Sequence, residues 1–124
     1  MPIEHRVDPG QGILFVTRSG SIDTQDEHDA LDRRRADPLV QPGIRVLVDC
    51  CAVDPADSTE VVHYLADSIT ALAAHLQCGP VAIVVSTDVQ FGMARMYAAL
   101  TDLAHPDTEV FRAREDALTW LRSR

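Results

Sequence analysis

The chain opens with short alternating stretches of apolar and polar residues and moves to continuous apolar runs further on. Ile3 to Val7 (I-E-H-R-V) alternates at its ends, which predicts a half-buried edge strand. Asp8-Pro9-Gly10-Gln11-Gly12 is built of turn residues. Ile13 to Thr17 follows as a second, more buried strand, so the pair reads as a hairpin. Gly20 then breaks the chain. Thr24 with Glu27 three residues on has the spacing of a capping box. Asp26, Glu27 and Asp29 load the first turn of the helix that follows, and Arg33, Arg34 and Arg35 load its last turn, which complements the helix dipole at both ends. The three arginines read as a solvated terminal turn. Only Ala30, Leu31 and Ile22 are apolar, so this helix covers the core thinly before Pro38 ends it.

Ile44 to Val48 is nearly continuous in apolar character, as parallel strands buried on both faces are, and it ends at Asp49-Cys50-Cys51. Asp57 and Glu60 again have capping-box spacing and open a helix expected to run to about Gln77. Val61, Leu65, Ile69, Leu72 and Leu76 line one face of it, opposite His63, Asp67, Thr70 and Ala74. Gly79-Pro80 stops it. Val81 to Val85 is wholly apolar and predicts a central strand buried on both faces. In the next helix Val89, Met93, Met96 or Tyr97, Leu100 and Leu103 give the expected buried stripe. Glu109 to Arg112 is the last strand. Ala117, Leu118 and Leu121, with Trp120 beside them, form the buried face of a final helix. The order β-β-α-β-α-β-α-β-α, with right-handed crossovers, gives an α/β fold. Its five-stranded mixed sheet is parallel apart from the hairpin edge strand, and residues 1–124 read as one domain.

Composition narrows the function classes. Hydrophobic residues at 46% and charged residues at 24% are ordinary globular values, while aromatics at 5% leave the core to Val, Leu, Ile and Ala. The formal charge of 11 − 19 = −8 repels phosphate backbones and anionic membrane surfaces, which argues against nucleic-acid partners. No segment reaches the roughly 18 apolar residues of a membrane span. The N-terminus MPIEHRVD has no apolar signal core, so a cytoplasmic protein is expected.

Ligands of open α/β sheets gather beyond the carboxyl ends of the strands. Asp49 follows the third strand there, and Ser86, Thr87 and Asp88 follow the fourth. Arg112 stands near the end of the fifth, and Arg95 lies in the helix that starts at this rim. Gly92 sits in that helix's first turn, where it costs about 1 kcal/mol relative to Ala. Close backbone approach by an element or a ligand explains that cost, and so does fraying at the helix start. Asp49, Ser86, Asp88, Gly92, Arg95 and Arg112 are therefore the candidate ligand-binding residues. Helix capping by Thr87 or Asp88 is the structural alternative, as is an internal salt bridge from Arg95 to Asp88 or Asp49. Cys50 and Cys51 are adjacent and Cys78 stands alone. None lies in a C-x-x-C pattern, so structural thiols are expected and no metal site or cofactor. Met93 and Met96 read as core filling. No spacing assigns a catalytic residue.

The strand–helix–strand–helix half carries a resemblance. Its apolar strand, Gly92-Met93-Ala94-Arg95-Met96-Tyr97, Val110-Phe111-Arg112, Asp116-Ala117-Leu118 and Trp120-Leu121 resemble the SpoIIAA-like (STAS-like) bacterial domain family. Gly20 and the strand Arg45 to Asp49 match it more loosely. Anti-sigma-factor antagonists and lipid-carrying CRAL-TRIO domains are similar in fold to that family, so the resemblance implies ligand or partner binding and no particular chemistry. Antagonists carry an Asp-Ser-Ser/Thr-Gly motif whose serine is phosphorylated by a partner kinase. Asp57-Ser58-Thr59 lies at nearly that place, with Glu60 where the glycine belongs. Three functions follow as expectations: a non-enzymatic domain binding a small or lipid-like ligand or a protein partner, an antagonist switched at Ser58, and a small enzyme using the Asp49/Asp88/Arg95 rim.

Overall fold

A computed structural model describes residues 2–54, 79–100 and 107–124. The helix expected over 57–77, with Ser58, lies outside the described residues, as do Cys78 and Leu103.

β1 (Ile3–Asp8) and β2 (Ile13–Gly20) form an antiparallel hairpin. Asp8 organises its turn: its carboxylate accepts from Gly10 N at 3.0 Å and from Gln11 Nε2 at 2.8 Å, and its carbonyl from Gly12 N at 2.9 Å. Next come α1 (Thr24–Ala36), β3 (Arg45–Val53), β4 (Val81–Val84), α2 (Asp88–Leu100), β5 (Thr108–Phe111) and α3 (Arg114–Arg122). The sheet order is β1-β2-β3-β4-β5, and every pairing after the hairpin is parallel, as the alternation of strands and helices requires.

Side chains alternate between two cores. On one face Leu14, Val16, Val46, Val81, Ile83 and Val85 pack with Ile22, Ala30 and Ala94, under α1 and α2. On the other, Ile13, Phe15, Leu47, Ala82 and Val84 pack with Ala117 and Leu121 of α3. β4 lies between β3 and β5, and Val81 to Val85 are buried throughout, as expected.

Four details differ from the sequence reading. β2 and β3 run on to Gly20 and Val53 because they pair with each other there, Ser19 with Ala52 and Gly20 with Val53, across a register slip after Thr17. β3 therefore does not end at Asp49, and Cys50 and Cys51 lie within it. The cap of α1 is Asp23, whose carboxylate accepts from Asp26 N at 2.8 Å while Asp26 reaches back to Asp23 N at 3.1 Å. Freed from capping, Glu27 turns inward and is fully buried. The arginines that close α1 are not uniformly solvated: Arg33 donates to Ile3 O at 2.7 Å and Arg34 is buried, leaving Arg35 exposed.

The fourth difference is the register of α2. Its buried residues are Gln90 and Ala94, with Phe91 and Tyr97 packed on the same cluster. Val89 and Leu100 are 53% and 42% exposed. The helix is rotated from the expected stripe because the Gln90 amide is drawn into the sheet's polar corner, where it finds enough partners to be buried at no hydrogen-bonding cost.

Candidate functional site

The corner where β3, β4 and α2 meet is built around Gln90. Its Oε1 accepts from Ser86 N at 2.8 Å, Thr87 N at 3.2 Å and Ser86 Oγ at 3.1 Å. Its Nε2 donates to Cys51 O and Val53 O, both at 3.1 Å. Thr87 Oγ1 accepts from Gln90 N at 3.1 Å, so Thr87 and Gln90 form a reciprocal capping box and the cap is Thr87 rather than Asp88. Because Gln90 occupies the Ser86 and Thr87 amides, these donors at the start of α2 are not offered to an anion. The charged groups left at this rim are side chains.

Those side chains meet on Phe91. Arg112 stands 4.9 Å and Arg95 6.0 Å from the centre of its ring. Arg112 Nη2 also donates to Asp88 Oδ1 at 2.7 Å, although both groups are well exposed and the pair adds little stability. Among the described residues Arg95 pairs with no carboxylate, so the alternative of an internal link from Arg95 to Asp88 or Asp49 is absent there.

The structure therefore brings Asp88, Arg112 and Arg95 together around Phe91, with Ser86 beside them in the Gln90 corner. It does not bring Asp49 to them. Asp49 follows Leu47 on the α3 face, where its Oδ2 lies 3.6 Å from Arg114 Nη1 and its Oδ1 accepts from Cys51 N at 3.0 Å. The continuation of β3 past Asp49 fixes that direction by alternation. Gly92 is exposed, and a methyl group built on it meets nothing within 4 Å, so no neighbouring element crowds it.

Gln90, Phe91 and Arg114 were missed as site residues. Thr87-x-x-Gln90 was a legible signal, being a capping-box spacing just after an apolar run. Arg114 carried no such signal. The two described thiols differ as alternation predicts. Cys50 is turned inward, and burial pushes its pKa up to about 11. Cys51 is exposed, with its pKa raised by desolvation and by its hydrogen bond to Asp49. Among the described residues no three His, Cys, Asp or Glu side chains gather to hold a metal.

A mixed five-stranded sheet, parallel but for one edge strand, with two of its helices on one face and its last on the other, defines the class of this molecule. It is the SpoIIAA-like fold. A crystal structure of an uncharacterized protein from the DUF3478 family with a SpoIIAA-like fold, from Shewanella loihica PV-4, matches with a TM-score of 0.62. Identity is 20%, over 96% of this chain and 91% of that one, and at this identity the likeness shows the fold. No protein-family model matches the chain, and no curated protein does. Among the described residues no helix is long and apolar enough to cross a membrane.

Proposed function

We propose that this chain is a non-enzymatic binding domain that takes the polar or anionic head of a small or lipid-like ligand at the rim of α2 and β5. One observation carries the reading. Two guanidinium groups, Arg95 and Arg112, approach the same half-buried ring of Phe91, and Asp88 is the one carboxylate bonded to either of them among the described residues. In a chain of formal charge −8 this rim holds two cations against one anion, counting these three side chains. Guanidinium forks suit carboxylate and phosphate oxygens, and the ring supplies a face for an apolar neighbour of the head group.

Native mass spectrometry of the chain purified without denaturation tests this, together with calorimetric titration of phenyl phosphate. The reading expects retained ligand or phenyl phosphate binding in the wild type. It expects at least a tenfold loss in Arg95→Ala, with thermal stability nearly unchanged. A sharp fall in stability with binding intact would make Arg95 a structural link and end the proposal.

A further inference from the structure

Among the described residues Glu27 is the one charged side chain with no exposed surface. Its Oε1 lies 2.6 Å from Arg18 Nη1, yet neither carboxylate oxygen has an aligned hydrogen bond. Burial alone would pull the Arg18 pKa down, but the Glu27 charge overrides it and the net shift is upward, so the ion pair persists. A buried ion pair is an expensive way to satisfy a guanidinium, because solvation lost by both groups is only partly returned by their attraction.

The helix that brings Glu27 there offers the core few apolar side chains and several polar ties. From α1 only Ala30 and Leu31 join the apolar core. Its polar links to the sheet include Arg18–Glu27, Arg33 Nη2 to Ile3 O, and Asp37 at the helix end to His5 Nε2 at 2.9 Å. Water can replace each of these bonds, and exposure would rehydrate Arg18 and Glu27. Under α1 lies a strip of β1 and β2, Ile3, Leu14 and Val16, in the same cluster as Ile22 and Ala30. On β2, Leu14, Val16 and Arg18 share that face. Two such steps span roughly 13 Å, with the guanidinium at one end.

We propose that α1 is a releasable cover over this strip, and that a monocarboxylate with an apolar tail displaces Glu27 from Arg18 and lies along it. Glu27 is itself a carboxylate on an apolar stem, so it acts as an internal occupant of the place the ligand takes. This site lies at the β1–β2 half of the sheet, and its proposal does not rest on the Arg95/Arg112 rim.

The test uses decanoate, with 1-decanol as the uncharged comparator, in calorimetric titration and hydrogen exchange of the whole chain. Glu27→Gln keeps the shape and removes the competing charge, and it should bind decanoate at least tenfold more tightly than wild type. Decanoate should speed amide exchange in α1 and not in β2 to β4. The double change Arg18→Met with Glu27→Leu replaces the pair by apolar residues, a change that is often neutral or stabilising for a buried ion pair. It should bind decanoate no better than decanol. Arg95→Ala with Arg112→Ala should keep the decanoate response. Equal decanoate affinity in wild type and Glu27→Gln overturns the proposal, as does unchanged exchange in α1. Binding lost only in the Arg95/Arg112 variant also overturns it and leaves the rim reading standing; binding lost only in the Arg18/Glu27 variant supports it and leaves the rim reading to its own phenyl phosphate titration.

Discussion

Gln90 reaches from α2 to the backbone carbonyl of Cys51 on β3, 3.1 Å away, and with its other end holds the amides of Ser86 and Thr87. One side chain thereby joins the end of one strand to the turn after the next. Gln90→Ala leaves two amides and two carbonyls of a half-closed corner without this partner. A loss of about 3 kcal/mol is expected, read from urea denaturation midpoints. A loss below about 1 kcal/mol would mean that water replaces the amide freely.

Ile83 and Val84 are neighbours on β4 that enter opposite cores. Ile83→Asp and Val84→Asp should each cost about 4 kcal/mol or more, because each buries a charge with no partner. Circular dichroism melts check this, and a mild effect from either change would place that side chain at a surface.

Gly92 has open space around the methyl group it lacks. Gly92→Ala should therefore raise stability by about 1 kcal/mol through helix propensity, seen as a melting point higher by about 3 °C. A fall in melting point would reveal a close neighbour at that turn.

The sheet was legible because Val81 to Val85 leaves no polar position on either face and Ile44 to Val48 leaves only Arg45, a pattern that suits interior strands. The polar interior was not legible. Glu27 reads as a capping residue of the first turn and Arg18 carries no signal at all, and only the pairing of one with the other makes burial tolerable. Gln90 misled the reading of α2 for a related reason. A stripe drawn through Val89 and Met93 looks more apolar than one through Gln90, Ala94 and Tyr97, and an amide's five hydrogen bonds are invisible to a hydrophobic count. At the rim, position after a strand groups Ser86, Asp88 and Arg112 as the structure does, but also sets Asp49 with them, because the sequence does not show that β3 continues to pair with β2 beyond it.

Asp37 supplies an acid-sensitive tie. The Leu39 amide, then the His5 side chain, hold its carboxyl pKa below the ordinary 3.8. A carboxylate depressed in the folded state stabilises it above the unfolded pKa, and that contribution disappears as pH falls through the depressed value. Asp37→Asn should therefore lower the melting temperature at pH 7, and the gap to wild type should close at the acid end of a pH series. A gap that stays constant down to acid would show that the carboxylate charge contributes nothing.

Iodoacetamide at pH 8, followed by peptide mapping, should modify Cys51 well before Cys50, whose thiol is both turned inward and pushed up to about 11. Equal rates would mean that the end of β3 opens readily.

The sheet order repeats the chain order, so no strand is inserted between two that came before it. During synthesis each strand after the hairpin can join a growing edge without prising apart an existing pair, and the loop closed at each step stays short. The last helix breaks this locality. Arg122 donates to Gln11 Oε1 and Arg45 to the carbonyl of Arg124, contacts 111 and 79 residues apart. α3 and the residues after it thus fasten the hairpin turn and β3, and a chain released before α3 would carry a registered sheet with one apolar face still wet.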